Sequence, residues 1–356
     1  MNENHTISEN AGLLEALGRL NALSGSGMTL FALDEDARVV GTLTDGDIRR
    51  ALIGGATLES TVGQACRRNF RSVRAADIDP ASLKACRMDG IMLVPVLDAE
   101  GRLASLINLN RCRTVLPLSA VLMAGGMGER LRPATLTTPK PLLQIEGKAI
   151  IDYNVELLAS CGVSDITVCT RYLSGQIFSH FEQPVAGVQV KCVREDEPLG
   201  TIGAVTLTDA ALRPGDTIVM NSDLLTTISF EEMYLRHRET HADITIAAVP
   251  YQVSVPYAIL TLGGEDRSQV TAIEEKPSYS YYANAGIYIF SNEVLGMLVP
   301  GTRTDATDLI TAAIASGRKV TYYPISGTWI DVGSPVDFRQ AAELMRHHNS
   351  MAKANS

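Results

Sequence analysis

The sequence predicts an α/β protein whose larger part is a doubly wound, mainly parallel sheet, preceded by a smaller N-terminal α+β domain. Three observations lead to this prediction. From Leu118 onward, apolar runs of strand length alternate with longer runs of helical spacing. Before Cys112, short apolar runs alternate instead with acidic turns, and one such unit occurs twice. The length of 356 residues also favours two domains, or three, over one.

The N-terminal region is organised around a strand–turn–strand unit. The runs "TLFAL" and "VVGTL" read as strands joined by the turn "DEDAR", and "TDGDIRRAL" then begins a helix with Thr44 as its N-cap. The stretch "LVPVLDAEGRLASLINLN" repeats this unit, with Leu97 and Asp98 in the places of Leu33 and Asp34. Two related halves therefore predict one compact domain.

The chain is expected to divide into residues 1–113, a linker at 114–118 that contains Pro117, and residues 119–356. In the last part the predicted strands are, in order, "SAVLMAG", "DITVCT", "DTIVMNSD", "ADITIAAV", "NAGIYIF" and "KVTYYPI". Predicted helices between them include "IIDYNVELLASCG" and "SFEEMYLRHRETH". In sheets of this kind ligands bind beyond the carboxyl ends of the strands.

Composition and charge exclude several functional classes. The net charge of −9 argues against nucleic-acid binding, which needs a basic face. No apolar run reaches the roughly 18–20 residues of a membrane span, and "MNENHTISEN" lacks the features of a signal peptide, so a cytoplasmic location is expected. The six cysteines form no CxxC pair, and reduced thiols are expected.

One loop carries most of the functional information. In "AVLMAGGMGERLRPATLTTPKPLL", Gly125, Gly126 and Gly128 follow the first strand of the second domain and let backbone N–H groups approach a ligand. Arg130 and Lys140 add charge, and prolines stiffen the segment, which suits a triphosphate. The loop matches neither the Walker A motif nor the dinucleotide fingerprint. The alternative is a surface loop with solvated cations.

The N-terminal repeat resembles a pair of CBS modules, with "VVGTLTDGDIRRAL" as the signature end of the first. This resemblance implies that Thr44 and Asp47 contact the phosphate and ribose of an adenine nucleotide, and that the pair is able to join two copies of the chain. The second half departs from the pattern, since Asn108 and Arg111 stand at the corresponding positions. Alternatively, Thr44 and Asp47 only cap a helix.

The glycine loop resembles the signature of the sugar-nucleotide pyrophosphorylases, or nucleotidylyltransferases, and the resemblance extends from Ser119 to about Asp337. It implies a Rossmann-like fold that converts an NTP and a sugar 1-phosphate into an NDP-sugar and pyrophosphate. Arg130 would stabilise the leaving pyrophosphate, and Lys140 would lie near the reacting phosphates. The implied nucleotide contacts in this loop are Ala124, Gly125, Gly126 and Gly128.

Two aspartates, one at the end of a predicted strand and one just after the tryptophan, are candidate metal ligands. Asp223 ends "TIVMNSD", and Asp331 lies in "GTWIDVGSP". The resemblance implies that both hold a catalytic Mg²⁺, an ion that takes one or two carboxylates and completes its shell with phosphates and water. Taken singly, each aspartate reads as a helix cap or a turn residue. Ser222 stands where the family usually has glycine.

Further motifs suggest base and sugar contacts. "REDEPLGTIGAV" resembles the family's base-reading loop in its guanylyltransferase form, which implies roles for Gly200 and Thr201 and lets Glu195 accept hydrogen bonds from guanine. "AIEEKP" resembles the sugar-site motif. The sugar contacts implied by the resemblance are Ala258, Glu275, Lys276 and Asn284. Ala258 stands where the family often has glycine, which leaves the sugar open.

These features predict a Mg²⁺-dependent sugar-1-phosphate nucleotidylyltransferase, with GTP favoured as the donor. The mannose-1-phosphate and glucosamine-1-phosphate guanylyltransferases are the branches it most resembles, and the CBS pair suggests surface-glycan or nonulosonic-acid synthesis. Two alternatives remain. One is an enzyme that uses UTP, CTP or dTTP; the other is a catalytically degenerate regulator that senses adenine nucleotides.

Overall fold

A computed structural model describes the chain over residues 3–23, 27–209 and 214–354. Internal contacts divide it into two compact units, namely Met1–Pro117 with Ser160–Gly162, and Leu118–Ala159 with Val163–Ser356. Leu118 is the first residue of a strand. Among the described helices, none has both the length and the apolar character needed to span a bilayer.

The described part of the first unit contains two three-stranded sheets with the same topology. In each sheet the first strand is parallel to the second, and the second is antiparallel to the third. The strands are β1 (Thr6–Ser8), β2 (Thr29–Leu33), β3 (Val39–Thr44), β4 (Val73–Arg74), β5 (Leu93–Leu97) and β6 (Leu103–Asn108). The helices are α1 (Leu13–Ala22), α2 (Asp45–Ile53), α3 (Val62–Ala65) and α4 (Pro80–Met88).

The repeat predicted from the sequence extends to individual hydrogen bonds. The carboxylate of Asp34 accepts from the backbone N–H groups two and four residues later, and Asp98 does the same in the second half. The two turns also meet, because Arg38 and Arg102 form an antiparallel bridge. The two halves therefore pair around these turns to form one unit.

The start of α2 is a complete capping box. The hydroxyl of Thr44 accepts from the backbone N–H of Asp47 at 3.3 Å, and the carboxylate of Asp47 accepts from the N–H of Thr44 at 3.0 Å. Asp47 is buried, and it also accepts hydrogen bonds from Arg50 and Arg67. Burial would raise the pKa of Asp47, but the bonds from Thr44 and Arg50 outweigh it and lower the pKa. Helix capping thus accounts for Thr44 and Asp47 without a ligand.

The second unit is an α/β fold. Its strands are β7 (Leu118–Ala124), β8 (Gln144–Ile145), β9 (Lys148–Ala149), β10 (Ile166–Thr170), β11 (Lys191–Arg194), β12 (Asp216–Asn221), β13 (Leu224–Thr226), β14 (Ile244–Ser254), β15 (Ile259–Gly263), β16 (Gln269–Glu274), β17 (Ser278–Ser291), β18 (Val320–Pro324) and β19 (Trp329–Asp331). Its helices are α5 (Ile150–Ser160), α6 (Ser174–His180), α7 (Phe230–Glu239), α8 (Asn292–Leu295), α9 (Ala306–Ala315) and α10 (Pro335–Ala354).

Within the described residues, seven strands of this unit form one sheet in the order β11-β10-β7-β12-β17-β14-β18. The strands pair in parallel except for β17, which is antiparallel to both of its neighbours. The mainly parallel sheet predicted from the sequence is therefore confirmed. Every residue of β10 is buried, as expected for a strand covered on both faces.

Four parallel strands end together at one edge of this sheet. Ala124 at the end of β7 is aligned with Thr170 of β10, and Thr170 is aligned with Arg194 of β11. On the other side, Asn221 of β12 is aligned with Met123. The loops that follow β7, β10, β11 and β12 consequently leave the sheet side by side, at the edge where ligands bind in such folds.

The loop after β11 is fixed by a close backbone contact at Gly200. Its φ is +81°, and a Cβ atom there would lie 2.4 Å from the carbonyl oxygen of Thr304. Gly317, after α9, has the same φ of +81° but has no neighbouring atom within 4 Å of a Cβ position. The two glycines therefore separate the cost of the backbone conformation from the cost of the contact.

Replacement of Gly200 by alanine should destabilise the second unit far more than the same change at Gly317. We expect Gly317→Ala to lower the free energy of unfolding by about 1–2 kcal/mol, the cost of a left-handed residue, and Gly200→Ala by roughly 3–4 kcal/mol. Urea unfolding followed by the fluorescence of Trp329, the only tryptophan in the chain, measures this unit. Equal losses would show that the contact with Thr304 contributes nothing.

Candidate active site

The centre of the candidate site is a lysine that contacts two carboxylates. The ammonium of Lys140 donates to Asp223, and it lies 3.4 Å from Oδ1 of Asp331. Only 8% of Lys140 is exposed, while the side chains of Asp223 and Asp331 are 24% and 44% exposed. Three residues widely separated in the sequence thus form one cluster that is open on its carboxylate side.

The pairing of β13 with β19 brings the two aspartates together. Leu224, directly after Asp223, is opposite Asp331 in this antiparallel ladder. The backbone N–H of Val332 also donates to the carbonyl oxygen of Asp223 at 3.2 Å. Both carboxylates consequently sit at the same end of a short ribbon, as the family resemblance of the two motifs implied.

The glycine loop and two prolines restrain the backbone at Lys140. The lysine begins a short 3-10 turn between Pro139 and Pro141. A Cβ atom at Gly128, where φ is +61°, would lie 2.9 Å from the Thr135 side chain and 3.1 Å from Cβ of Lys140. Gly128 therefore lets the glycine loop pack directly on the lysine, and this contact restrains the backbone at Lys140 while its ammonium stays at the end of a flexible stem.

Arg130 lies on the same side of the site. Its guanidinium covers Gly333, where a Cβ atom would be 2.9 Å away from it. Gly333 lies two residues beyond Asp331, which brings Arg130 close to the carboxylate cluster. Within the described ranges Arg130 has no hydrogen bond or ion pair, and it is exposed. It is thus free to bind an anion. Gly333 was not among the residues predicted from the sequence, although it lies in the stretch "GTWIDVGSP".

Asp223 is supported from behind by buried polar groups. The hydroxyl of Ser222 donates to the carbonyl oxygen of Met123 at 2.8 Å, and the amide of Asn154 donates to the carbonyl oxygen of Ser222 at 3.2 Å. Both side chains are buried. Asn154 was not predicted from the sequence, although an asparagine on the buried face of α5 is a signal for such a role.

The cluster has the donor chemistry of a Mg²⁺ site. Its two carboxylates offer only oxygen atoms, and they face the same point, which is where the ammonium of Lys140 lies. Within the part of the chain that the structure describes, no group of three or more potential metal ligands occurs. Asp223 and Asp331 therefore fit an ion that takes one or two carboxylates and completes its shell with phosphates and water.

The glycine loop meets a buried glutamate at the edge of the sheet. Glu195 directly follows β11, only 4% of it is exposed, and it accepts a hydrogen bond from the N–H of Leu199 at 3.2 Å. A Cβ atom at Gly125 would lie 2.7 Å from this carboxylate. Ala124 ends β7 and is buried, whereas Gly126 is exposed. These residues thus lie together where the sequence predicted a nucleotide.

The carboxyl of Glu195 titrates above its usual range. Burial raises its pKa, and this effect exceeds the opposing effects of the Leu199 hydrogen bond and the charge of Arg171. Because burial disfavours the ionised form of Glu195, a hydrogen-bond donor that approaches the carboxylate, such as the edge of a base, would stabilise that form.

Gly200 and Thr201 lie in the same loop, but their contacts are with Thr304 and with the start of α9. The backbone N–H of Thr201 donates to Asp305 at 2.9 Å, and its hydroxyl accepts from the N–H of Ala306 at 2.8 Å. Thr201 therefore helps to cap α9. This structural role was not foreseen, and the base-reading role of both residues stays a prediction.

Of the predicted sugar residues, Asn284 is the one that a series of contacts connects to the cluster around Lys140. It is exposed and donates to the hydroxyl of Tyr288. The next residue, Ala285, accepts a hydrogen bond from the indole N–H of Trp329 at 2.9 Å. Trp329 is two residues from Asp331 in β19. Asn284 is thus connected to the carboxylate pair through one strand and one side chain.

The other predicted sugar residues lie on outlying strands. Ala258 precedes β15, and Glu275 and Lys276 follow β16, which pairs with β15. Glu275 and Lys276 are exposed and form an ion pair of 4.0 Å with each other. Among the described residues, no hydrogen bond or ion pair joins these three residues to the cluster around Lys140. Their sugar-binding role stays a prediction.

Replacement of Glu195 by glutamine should stabilise the second unit at alkaline pH, and the gain should shrink as the pH falls. A buried acid with a raised pKa costs stability when ionised, and this cost disappears as the pH falls through the raised pKa towards the usual 4.5. The test is urea unfolding of Glu195→Gln and wild type between pH 8 and pH 4.5. The exposed neighbour Glu197 provides the control variant Glu197→Gln, and a gain that does not change with pH would contradict the prediction.

Several proteins of known description are similar to this chain. A mannose-1-phosphate guanylyltransferase catalytic subunit beta from Dictyostelium discoideum is 30% identical over 227 residues, which cover 62% of each protein. A mannose-1-phosphate guanylyltransferase from Mycobacterium tuberculosis is 31% identical over 235 residues, covering 64% of this chain and 65% of that protein. The chain thus spans somewhat less than two thirds of the length of these relatives.

The fold is also found among solved structures. The crystal structure of HddC from Yersinia pseudotuberculosis aligns with a TM-score of 0.50 and 25% identity, over 64% of this chain and 99% of that one. A family profile described as nucleotidyl transferase matches residues 119–348. The match includes the glycine loop, Lys140 and both aspartates and covers well over half of the sequence; the chain therefore belongs to the nucleotidyl transferase family.

Proposed function

We propose that the protein transfers a nucleotidyl group from an NTP to a sugar 1-phosphate, giving an NDP-sugar and pyrophosphate, with GTP as the favoured donor. The observation that carries the proposal is the cluster of Lys140 with Asp223 and Asp331. Family membership and the relatives named mannose-1-phosphate guanylyltransferase support the reaction class and the choice of GTP.

The reaction needs charge neutralisation more than it needs a nucleophilic side chain. An oxygen of the sugar 1-phosphate attacks the α-phosphorus of the NTP, and the bond to the leaving pyrophosphate breaks. Because the attacking phosphate is already anionic, no general base is required. Lys140 and Arg130 would then act by holding phosphate oxygens and stabilising the charge that passes to pyrophosphate.

We propose Mg²⁺ as the cofactor, held by the carboxylates of Asp223 and Asp331. When bound, the ion would neutralise phosphate charge and orient the phosphates. The protein's own contribution is to hold both carboxylates in place, through the ladder of β13 and β19 and through the hydrogen bonds that Asn154 and Ser222 make behind Asp223.

Base recognition is proposed for the edge of the sheet next to the glycine loop. There the N–H groups of Gly125, Gly126 and Gly128 would face phosphate oxygens. Glu195 would accept hydrogen bonds from the donor edge of guanine, and this supports GTP as the proposed donor over UTP, CTP or dTTP. Asn284 would contact the sugar, and further sugar contacts would come from Ala258, Glu275 and Lys276. The identity of the sugar stays open.

The alternative of a degenerate regulatory protein is less well supported. Such a protein would be expected to lose a metal aspartate or a loop cation, whereas Arg130, Lys140, Asp223 and Asp331 are all present. Surface-glycan or nonulosonic-acid synthesis is proposed as the setting of the reaction, because a CBS-like unit precedes the transferase.

We propose a second binding function for the first unit, namely an adenine nucleotide in a cavity of about 880 Å³. Thr44, Asp47 and three arginines line this cavity. The phosphates would bind to these arginines, because guanidinium groups pair with phosphate oxygens. The same unit is proposed to be able to pair two copies of the chain.

Replacement of Lys140 by alanine should lower turnover by roughly 10²–10³-fold, because one cation at the transferring phosphate is lost. The assay is pyrophosphate release over a matrix of GTP, ATP, UTP, CTP and dTTP with mannose, glucosamine and glucose 1-phosphates. The control is Lys191→Ala, which removes an exposed lysine at the opposite end of the sheet. Wild-type turnover in Lys140→Ala would remove Lys140 from the mechanism. If none of the five NTPs supported pyrophosphate release with any of the sugar 1-phosphates, the proposed reaction class would be wrong.

Adenine-nucleotide binding should depend on the arginines of the cavity. Arg71 lines it, whereas Arg68 does not, and each makes an ion pair with a carboxylate. We expect Arg71→Gln to weaken AMP and ATP binding about tenfold in isothermal titration calorimetry, and Arg68→Gln to have no such effect. If the titration of wild-type protein shows no heat of binding with either nucleotide, the proposal for this unit is wrong.

A further inference from the structure

Lys140 pairs with both of the carboxylates proposed to hold the metal. Its ammonium donates to Asp223 and lies 3.4 Å from Oδ1 of Asp331, so one positive charge serves two negative ones. Asp223 and Asp331 have no other ion pair among the described residues. The ammonium of Lys140 thus occupies the position that a metal ion would take between the two carboxylates.

A divalent cation and this ammonium compete for the same oxygen atoms. An ion held by both carboxylates would lie next to the Lys140 ammonium, and two positive charges at such a distance repel each other. The loss of its two partners would leave the ammonium of a largely buried lysine without compensation. The ammonium therefore has to move when the carboxylates bind a metal.

The structure allows the ammonium to move while the backbone stays in place. Pro139 and Pro141 flank Lys140, and Gly128 packs against its Cβ. Beyond Cβ, the stem of a lysine has several rotatable bonds and ends in a compact charge. The natural new partners are phosphate oxygens, since the glycine loop that would hold them contacts the stem of the same lysine.

We propose that Lys140 is an exchangeable counter-ion, whose ammonium leaves Asp223 and Asp331 when a divalent cation binds there and then pairs with the phosphates of the nucleotide. This inference rests on the proposed function, because it takes the two aspartates as the metal site. Its consequence is that the metal alone binds weakly, since without phosphates the displaced ammonium has no new partner. Lys140 thereby couples metal binding to nucleotide binding.

The test is the affinity for Mn²⁺ alone, measured by electron paramagnetic resonance without nucleotide. Replacement of Lys140 by glutamine removes the competing charge, so Lys140→Gln should bind Mn²⁺ about tenfold more tightly than wild type. Lys191→Gln is the matched control, because it removes the same charge at the far end of β11; its affinity should stay within about twofold of wild type. Unfolding followed by Trp329 fluorescence checks that each variant is folded.

A double variant separates this inference from the proposed metal site. Addition of Asp223→Asn to Lys140→Gln should abolish the gain in Mn²⁺ affinity. If Lys140→Gln gains no affinity, but Asp223→Asn still weakens its Mn²⁺ binding, the exchange is refuted and the metal site stands. If Asp223→Asn has no effect on Mn²⁺ binding in the Lys140→Gln background, the aspartate is not a ligand, and both proposals fail.

Discussion

The short antiparallel ladder between β13 and β19 is the constraint on which the candidate site depends. It places Leu224 opposite Asp331, and a backbone hydrogen bond from Val332 to Asp223 extends it by one step. Two carboxylates far apart in the sequence thereby face one point. Without this ladder, neither the ammonium of Lys140 nor the proposed metal could contact both carboxylates at once.

Around this ladder, the sheet supplies the remaining parts of the site. Parallel strands that end in register bring the glycine loop and Glu195 to one edge, and Gly125 fits directly against the carboxylate of Glu195. Arg130 approaches the same region by lying over Gly333. Cations, backbone donors and carboxylates are thus positioned by different loops and strands. This arrangement suits a reaction that requires positioning and charge neutralisation.

The mainly parallel sheet could be predicted from the sequence, because the alternation of strands and helices is a local pattern. The proximity of Asp223 to Asp331 was implied by the family resemblance of the motifs that contain them. Other features could not be predicted. The cap that Thr201 gives to α9, and the support of Asp223 by Asn154, join residues whose distance along the chain hides the contact. The bonds from two arginines to Asp47 likewise appear only in three dimensions.

The most direct test of the account is to locate the metal. Crystals grown with Mn²⁺ and GTP would reveal the ion by its anomalous scattering. If the two carboxylates hold the metal, one strong peak will lie in contact with both Asp223 and Asp331. A peak bound elsewhere on the protein, with these two carboxylates still paired to Lys140, would show that they are not the metal site.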